Sequence, residues 1–309
     1  MNLARHRHEL HGLNLRAHNL LDALMPGAHP ALQAGRDLQF HHHRPYTPGD
    51  DVNDMDWKLF GRTDRYYVKR QQRASQMHAC LVVDNSASMA FAGPGHTTSR
   101  QADAQPPTKF AHAQLLAAML ALILVRQGDR VGLIFSSSAD QLMPPAGTWS
   151  HAHRLIDKLE TTQPAVGNAR LDQTLTALAG QLHRPSLVII LSDLLDEPEP
   201  LLVSLDHLRR AGGEILALQI LAPAERNLSL MGAGPATLAD PESRLAVRTD
   251  PAAAADDYCK LIQQHLDRIQ HACLARQGDW QLAPTDTHPL DTLRHCLHRR
   301  QHRHLIHTP

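Results

Sequence analysis

A chain of 309 residues can build one large core or two smaller ones, and its 31 basic and 31 acidic residues cancel, so no overall charge draws it to nucleic acid or to an acidic membrane. Hydrophobic residues at 42% and charged residues at 20% are the proportions of an ordinary globular protein. The longest apolar run, 115–125, is too short to cross a bilayer and no apolar signal segment stands at the N-terminus, so the expectation is a cytoplasmic protein with no membrane span.

Residues 1–30 carry Leu10, Leu13, Leu20, Leu21 and Leu24 at helical spacing and stop near Pro26-Gly27, which predicts an amphipathic helix packed on the main body. From Arg44 to Lys58 a Pro48-Gly49 turn leads into Asp50, Asp51, Asp54 and Asp56 and then Trp57. Asp50 or Asp51 is suited to cap a short helix there, and Tyr66 to Arg70 reads as a strand. Next comes a short apolar run, Cys80-Leu81-Val82-Val83, which ends abruptly in Asp84-Asn85-Ser86-Ala87-Ser88. Residues 91–107, rich in Gly, Pro, Thr and Gln, read as a surface loop.

Beyond that loop, helices and apolar strands alternate. Lys109 to Gln127 is a long apolar helix closed by Gly128, and Val131 to Phe135 a strand; helices follow at Ser150 to Glu160 and Leu171 to Leu182. Ser186 to Leu191 is a fully apolar strand that ends in Ser192-Asp193. Pro198 to Arg210 reads as a helix, with Asp196 before it as its cap, and Glu214 to Ile220 as a strand. A long helix over Pro251 to Arg276, an edge strand over Trp280 to Ala283 and a helix over Pro289 to Arg300 complete the chain. This alternation predicts an α/β fold: a doubly wound, mostly parallel sheet at 78–309, with 1–77 as an N-terminal extension packed on it.

The four cysteines, Cys80, Cys259, Cys273 and Cys296, stand far apart with no Cys-x-x-Cys pair, which predicts buried free thiols rather than a zinc site or a disulfide framework. The 23 histidines gather at His6, His8 and His11, at His41 to His43, and at His295, His298, His302, His304 and His307. They read as a compositional bias on solvated faces, with transition-metal binding as the alternative, and the surface gains positive charge as pH falls through about 6.5.

Asp84 supplies one negative charge at a strand tip, and Ser86 and Ser88 supply neutral oxygens from the turn that follows, an arrangement suited to a hard cation that keeps its appetite for a further acidic ligand. In a parallel α/β sheet ligands sit at the carboxyl ends of strands, and Asp193 closes an apolar strand at that same edge. The Asp-x-Ser-x-Ser spacing resembles the metal-ion-dependent adhesion site of von Willebrand factor A-type domains. Arg44-x-Tyr46-x-Pro48-Gly49-Asp50-Asp51 with Asp56-Trp57, followed by Asp84-x-Ser86-x-Ser88, further resembles domain-of-unknown-function family 58, whose members are built on such a domain. That resemblance implies a vWA-like, Rossmann-like fold with Asp193 as the second aspartate of the site. It also sets Ala169, in Gly167-Asn168-Ala169, where the family offers a threonine ligand, so that water, Thr161 or Thr162 would have to complete the shell.

The site residues expected from residues and resemblance together are Asp84, Ser86, Ser88 and Asp193, with Mg²⁺ or Mn²⁺ bound weakly because Ala169 has no oxygen to give. No phosphate-binding Gly-rich loop and no Gly-x-Ser-x-Gly elbow is present, and Ser86 stands where a haloacid-dehalogenase phosphatase needs an acid, so the chain is not expected to be an enzyme. The expectation is an interaction module that captures an acidic protein ligand through its cation. The family resemblance adds a MoxR-type AAA+ ATPase as partner, in the chaperone-like maturation of protein complexes. Two alternatives stay open: a Mg²⁺-dependent hydrolase using Asp84 and Asp193, and a metal-independent scaffold with a degenerate site.

Overall fold

The computed structural model describes residues 12–24, 42–46, 57–63, 65–70, 76–93, 107–138, 141–165, 169–182, 185–242 and 245–306. In chain order the elements are α1 (Gly12–Leu24), β1 (His42–Pro45), α2 (Trp57–Thr63), β2 (Tyr67–Arg70), β3 (His78–Val83) and a 3₁₀ turn (Ala87–Ala90). They continue as α3 (Lys109–Gln127), β4 (Arg130–Phe135), β5 (Met143–Ala146), α4 (Trp149–Thr161), α5 (Leu171–Gln181), β6 (Ser186–Ser192) and α6 (Pro198–Arg210). After β7 (Gly213–Gln219) come α7 (Pro223–Arg226), a second 3₁₀ turn (Leu228–Met231), β8 (Ala236–Ala239), β9 (Ala246–Thr249), α8 (Pro251–Ala275), β10 (Asp279–Leu282) and α9 (Pro289–Ile306).

Six strands form one mixed sheet in the order β10-β7-β6-β3-β4-β5, so the chain has an α/β fold. The first five run parallel, and β5 pairs antiparallel to β4 at the edge. The central strands are apolar because both of their faces are covered: every residue of β6 is buried, as is every residue of β3 after His78. β5 is unexpected from the sequence, since Pro144 and Pro145 lack the N–H that a ladder needs; only an edge strand tolerates them.

Helix α3 explains its own composition. Thr108 caps it by accepting from the Ala111 N–H, and Gly128, in the left-handed region at φ 90, terminates it. Between these ends the helix is apolar on nearly all sides, because it lies on β3, β4 and β6 and is itself overlain by α1, α4 and α9. Each fully buried leucine in it contributes about 2 kcal/mol. Among the described residues this is the one helix long and apolar enough to cross a membrane, and 78% of its apolar window is buried inside the protein. The opposite face of the sheet packs Cys80, Val82, Val188, Ile190 and Ile215 against Leu175 and Leu178 of α5, Leu205 and Leu208 of α6, and Ile269 of α8.

The chain divides into a unit of Met1–Leu24 with Met77–Pro309 and a unit of Met25–Gln76. In the first, α1 docks on α3 and α4. Asn14 Nδ2 stands 2.8 Å from His153 Nδ1, and the His18 ring stacks on His153 with centroids 5.7 Å apart. In the second, β1 and β2 pair antiparallel and Phe60 stacks on Tyr66 at 4.5 Å. Residues 47–56, which hold the Pro-Gly-Asp-Asp segment and the aspartates expected to cap a helix, and most of the 91–107 loop lie outside the described residues. All four cysteines are free, but only three are buried as expected: burial pushes the Cys80 and Cys273 thiols up to about 12 and Cys296 to about 11, which leaves those three unreactive, while Cys259 is half-buried.

Candidate functional site

β3 and β6 are neighbours in register, Val83 opposite Leu191, so the residues that follow each strand emerge side by side at the carboxyl edge. Asp84 is 3% exposed and engages both of its carboxyl oxygens. Oδ1 accepts from the Ser136 hydroxyl at 2.7 Å and the Ser86 N–H at 2.9 Å, and Oδ2 accepts from the Ser192 hydroxyl at 2.5 Å. Burial, and then the charge of Asp193, push the Asp84 pKa up, against those three donors.

Asp193 leaves β6 beside it. Its Oδ2 accepts from the Ser88 hydroxyl at 2.9 Å, and the Ser86 and Ser88 oxygens are 3.0 Å apart. The main chain is held on both sides of the carboxylate: Gln219 on β7 donates to the Asp193 carbonyl at 2.7 Å, and Leu194, at φ 51, is a leucine in the left-handed region. Such strain persists only where neighbours enforce it. Here the Ser192 hydroxyl accepts from the Leu194 N–H at 3.0 Å, and His265 Nε2 lies 2.6 Å from the Leu194 carbonyl oxygen.

Three charged residues that sequence reasoning passed over complete the site. Lys109, at the first position of α3, is 0% exposed, and its ammonium lies 2.6 Å from Asp193 Oδ2 and 2.6 Å from Glu225 Oε1. Burial depresses its pKa, but the charges of Asp193 and Glu225 and the hydrogen bonds to them outweigh burial, and the net shift is upward. Glu225, on α7, also accepts from the Ala222 N–H at 2.8 Å through Oε2, and the Tyr258 hydroxyl donates to its carbonyl at 2.9 Å. The third is Glu242, in the turn after β8. Burial pushes its pKa up, the neighbouring Ser88 pulls it down, and Asp193 and Asp84 add to the rise.

Next to this network lies a cavity of about 510 Å³ whose lining includes Ala169, Asp172, Leu194, Asp196 and Glu242. Arg170 also lines it but is paired with Asp172 at 3.1 Å. Asp196 does not cap α6, which starts behind Glu197 without any side-chain cap. It faces the cavity instead, where desolvation and then Glu242, Asp193, Asp84 and Asp172 push its pKa up to about 7.

The oxygens of Ser86, Ser88 and Asp193 form a string with 3.0 and 2.9 Å spacings. Adjacent ligands of an octahedral Mg²⁺ at its usual bond length stand about 2.9 Å apart, so this spacing and this all-oxygen chemistry fit a hard cation. Other features count against a tight site. Ala169 offers no oxygen, and Thr161 and Thr162 do not replace it, since their hydroxyls donate to the Asp157 and Lys158 carbonyls of α4. Among the described residues no three His, Cys, Asp or Glu side chains are grouped so as to hold a metal by themselves. The expected quartet is thus brought together, while Lys109, Glu225, Glu242, Ser136 and Ser192 were not expected there.

Comparison with known proteins gives a family and little chemistry. The family described as "Protein of unknown function DUF58" matches residues 42–268. Uncharacterized proteins of Mycobacterium bovis and Mycobacterium tuberculosis are 29% identical over 261 residues, covering 83% of this chain and 77% of each relative. Among solved structures, the conserved hypothetical protein BatB of Bacteroides thetaiotaomicron is 12% identical with a TM-score of 0.43, covering 72% of this chain and 98% of that one. An aerotolerance-related membrane protein of Bacteroides fragilis is 14% identical with a TM-score of 0.40, covering 66% and 90%.

Proposed function

The chain belongs to the DUF58 family, and on that premise we propose that it is a cation-dependent protein-interaction module built on a von Willebrand A-type domain. Asp84, Ser86, Ser88 and Asp193 hold Mg²⁺ or Mn²⁺, and the cation's open position takes a carboxylate from a protein partner. The carrying observation is the string of Ser86, Ser88 and Asp193 oxygens at 3.0 and 2.9 Å, drawn from two neighbouring strand ends. Asp193 already shares its charge with the Lys109 ammonium at 2.6 Å and the hydroxyls are neutral, so the ion keeps charge that a further acid can meet. In keeping with the family resemblance, the module works with a MoxR-type AAA+ ATPase in the cytoplasm, in the assembly of protein complexes.

Titration calorimetry with Mn²⁺ on the wild type and Asp84→Ala tests this reading. Saturable binding is expected in the wild type, weakened at least tenfold in the variant; equal heats in both would remove the site. A pull-down from native lysate with and without chelator then addresses the ATPase. The ammonium of Lys109, 2.6 Å from Asp193 Oδ2, favours a second reading, a scaffold that needs no metal because a lysine already balances its aspartate. Under that reading Mn²⁺ gives no heat and the pull-down ignores the chelator.

A further inference from the structure

The aspartate offered to a cation already holds one. Asp193 Oδ2, the oxygen in line with the two serines, accepts from the Ser88 hydroxyl at 2.9 Å and from the Lys109 ammonium at 2.6 Å. These two donors take up both lone pairs of that oxygen. An ion bonded to it at the usual Mg²⁺ length stands within about 4.7 Å of the ammonium, because both lie on one atom. Lys109 is 0% exposed, so little water separates the two positive charges at that distance. The ammonium in its present seat and a divalent ion on Asp193 therefore compete.

A second seat lies within reach of the ammonium. Glu225 Oε1 is 2.6 Å from the same nitrogen, so the charge can leave Asp193 without being stranded in the interior. The backbone of Lys109 does not have to move. Its N–H is bonded to the Phe91 carbonyl at 2.9 Å, and Thr108 caps the helix that it starts. A change in the torsions of its flexible four-carbon stem is enough. Glu225 waits in a fixed place, held through Oε2 by the Ala222 N–H at 2.8 Å.

We propose that Lys109 is a tethered cation, which balances Asp193 in the resting protein and gives way toward Glu225 when a divalent ion arrives. The exchange rests on the cation-dependent reading, whereas the resting ion pair does not. The metal-free and the loaded arrangements are then two states of one site. The lysine sets a threshold: an ion stays only where its own bonds, together with that of a partner's carboxylate, outweigh what the ammonium gives up. Ion and acidic partner thus favour each other's binding.

The test measures Mn²⁺ affinity by calorimetry in wild type, Lys109→Met and Glu225→Gln, with circular dichroism to establish that each is folded. Binding about tenfold tighter is expected in Lys109→Met, and about threefold weaker in Glu225→Gln, where the ammonium loses its second charged seat. A second arm labels the five lysines with ¹³C at Cε and titrates the full chain with Mg²⁺, which is diamagnetic. The Lys109 resonance is identified by its loss in Lys109→Met or, should that variant not fold, in Lys109→Arg. It is expected to shift as the ion saturates. Equal affinity in all three proteins, a weaker site in folded Lys109→Met, or a Lys109 resonance that stays in place at saturation would each overturn the exchange and leave the cation reading standing. Mn²⁺ bound by none of them ends that reading and the exchange with it. Binding by Lys109→Met alone supports the tethered cation in its strongest form, an ammonium that the ion cannot displace.

Discussion

On the proposed cation reading, Ala169 is where a single atom group would separate a weak site from a strong one. It is 6% exposed and lines the cavity beside Leu194 and Asp196, and its methyl group stands where the family resemblance calls for a hydroxyl. Ala169→Thr adds that hydroxyl at a cost in packing of about 1 kcal/mol. Mg²⁺ affinity by calorimetry is expected to rise about tenfold; an unchanged or lower affinity would show that residue 169 does not face the ion. Asp84, Ser86, Ser88 and Asp193 were legible in the sequence because each directly ends an apolar strand or follows one at alternate positions. Lys109, Glu225 and Glu242 were not. A charged residue at a helix start or in a turn reads as solvated, and Lys109 is buried only because of partners 84 and 116 positions away.

At the scale of elements, the Lys109 ammonium ties α3 to the end of β6 and to α7, and through Glu225 and the Tyr258 hydroxyl to α8. Taking a lysine fully out of water costs several kcal/mol, which two carboxylates at 2.6 Å offset. Lys109→Met keeps the length of the side chain and removes the charge, leaving Asp193 and Glu225 crowded without a cation. Urea denaturation is expected to show a loss of about 3 to 5 kcal/mol with the m-value unchanged, and added Mn²⁺ should restore part of it if the cation reading holds. A loss under 1 kcal/mol would mean that water reaches these groups. The long elements were legible to within a few residues because their period and caps are local: Pro198 to Arg210 matches α6 at both ends. Of the four-residue strands, β2 and β10 were legible, but β5, β8 and β9 were not. Prolines disguise β5, and β8 and β9 bury no residue from which a pattern could be read.

For the whole molecule, the order of apolar strands and helices was enough to predict an α/β sheet, whereas the docking of α9 on α3 was not, since it depends on side chains far apart in sequence. One consequence of that docking is a pH dependence of stability. His112 on α3 is 2% exposed, its Nε2 has no hydrogen-bond partner, and burial, with His288 adding to it and Asp286 opposing, pushes its pKa down to about 4. An unfolded histidine takes up its proton near 6.5, so between about 6.5 and 4 the unfolded chain binds more protons than the folded one. Stability from this group is therefore complete above pH 6.5, falls as the pH drops toward 4, and amounts to about 3 kcal/mol in all. Asp196 acts in the opposite sense. With a folded pKa raised to about 7 it favours the folded state at low pH and loses that contribution as pH rises from about 4 to 7, but it opens on solvent, and water screens the charges that crowd it. His112 should therefore dominate, and the other histidines drop out if the comparison is with His112→Gln. Urea midpoints measured from pH 7 to pH 4.5 are expected to fall more steeply for the wild type than for this variant. Parallel curves would mean that His112 is protonated in the folded protein, with Asp286 and His288 reorganised around it.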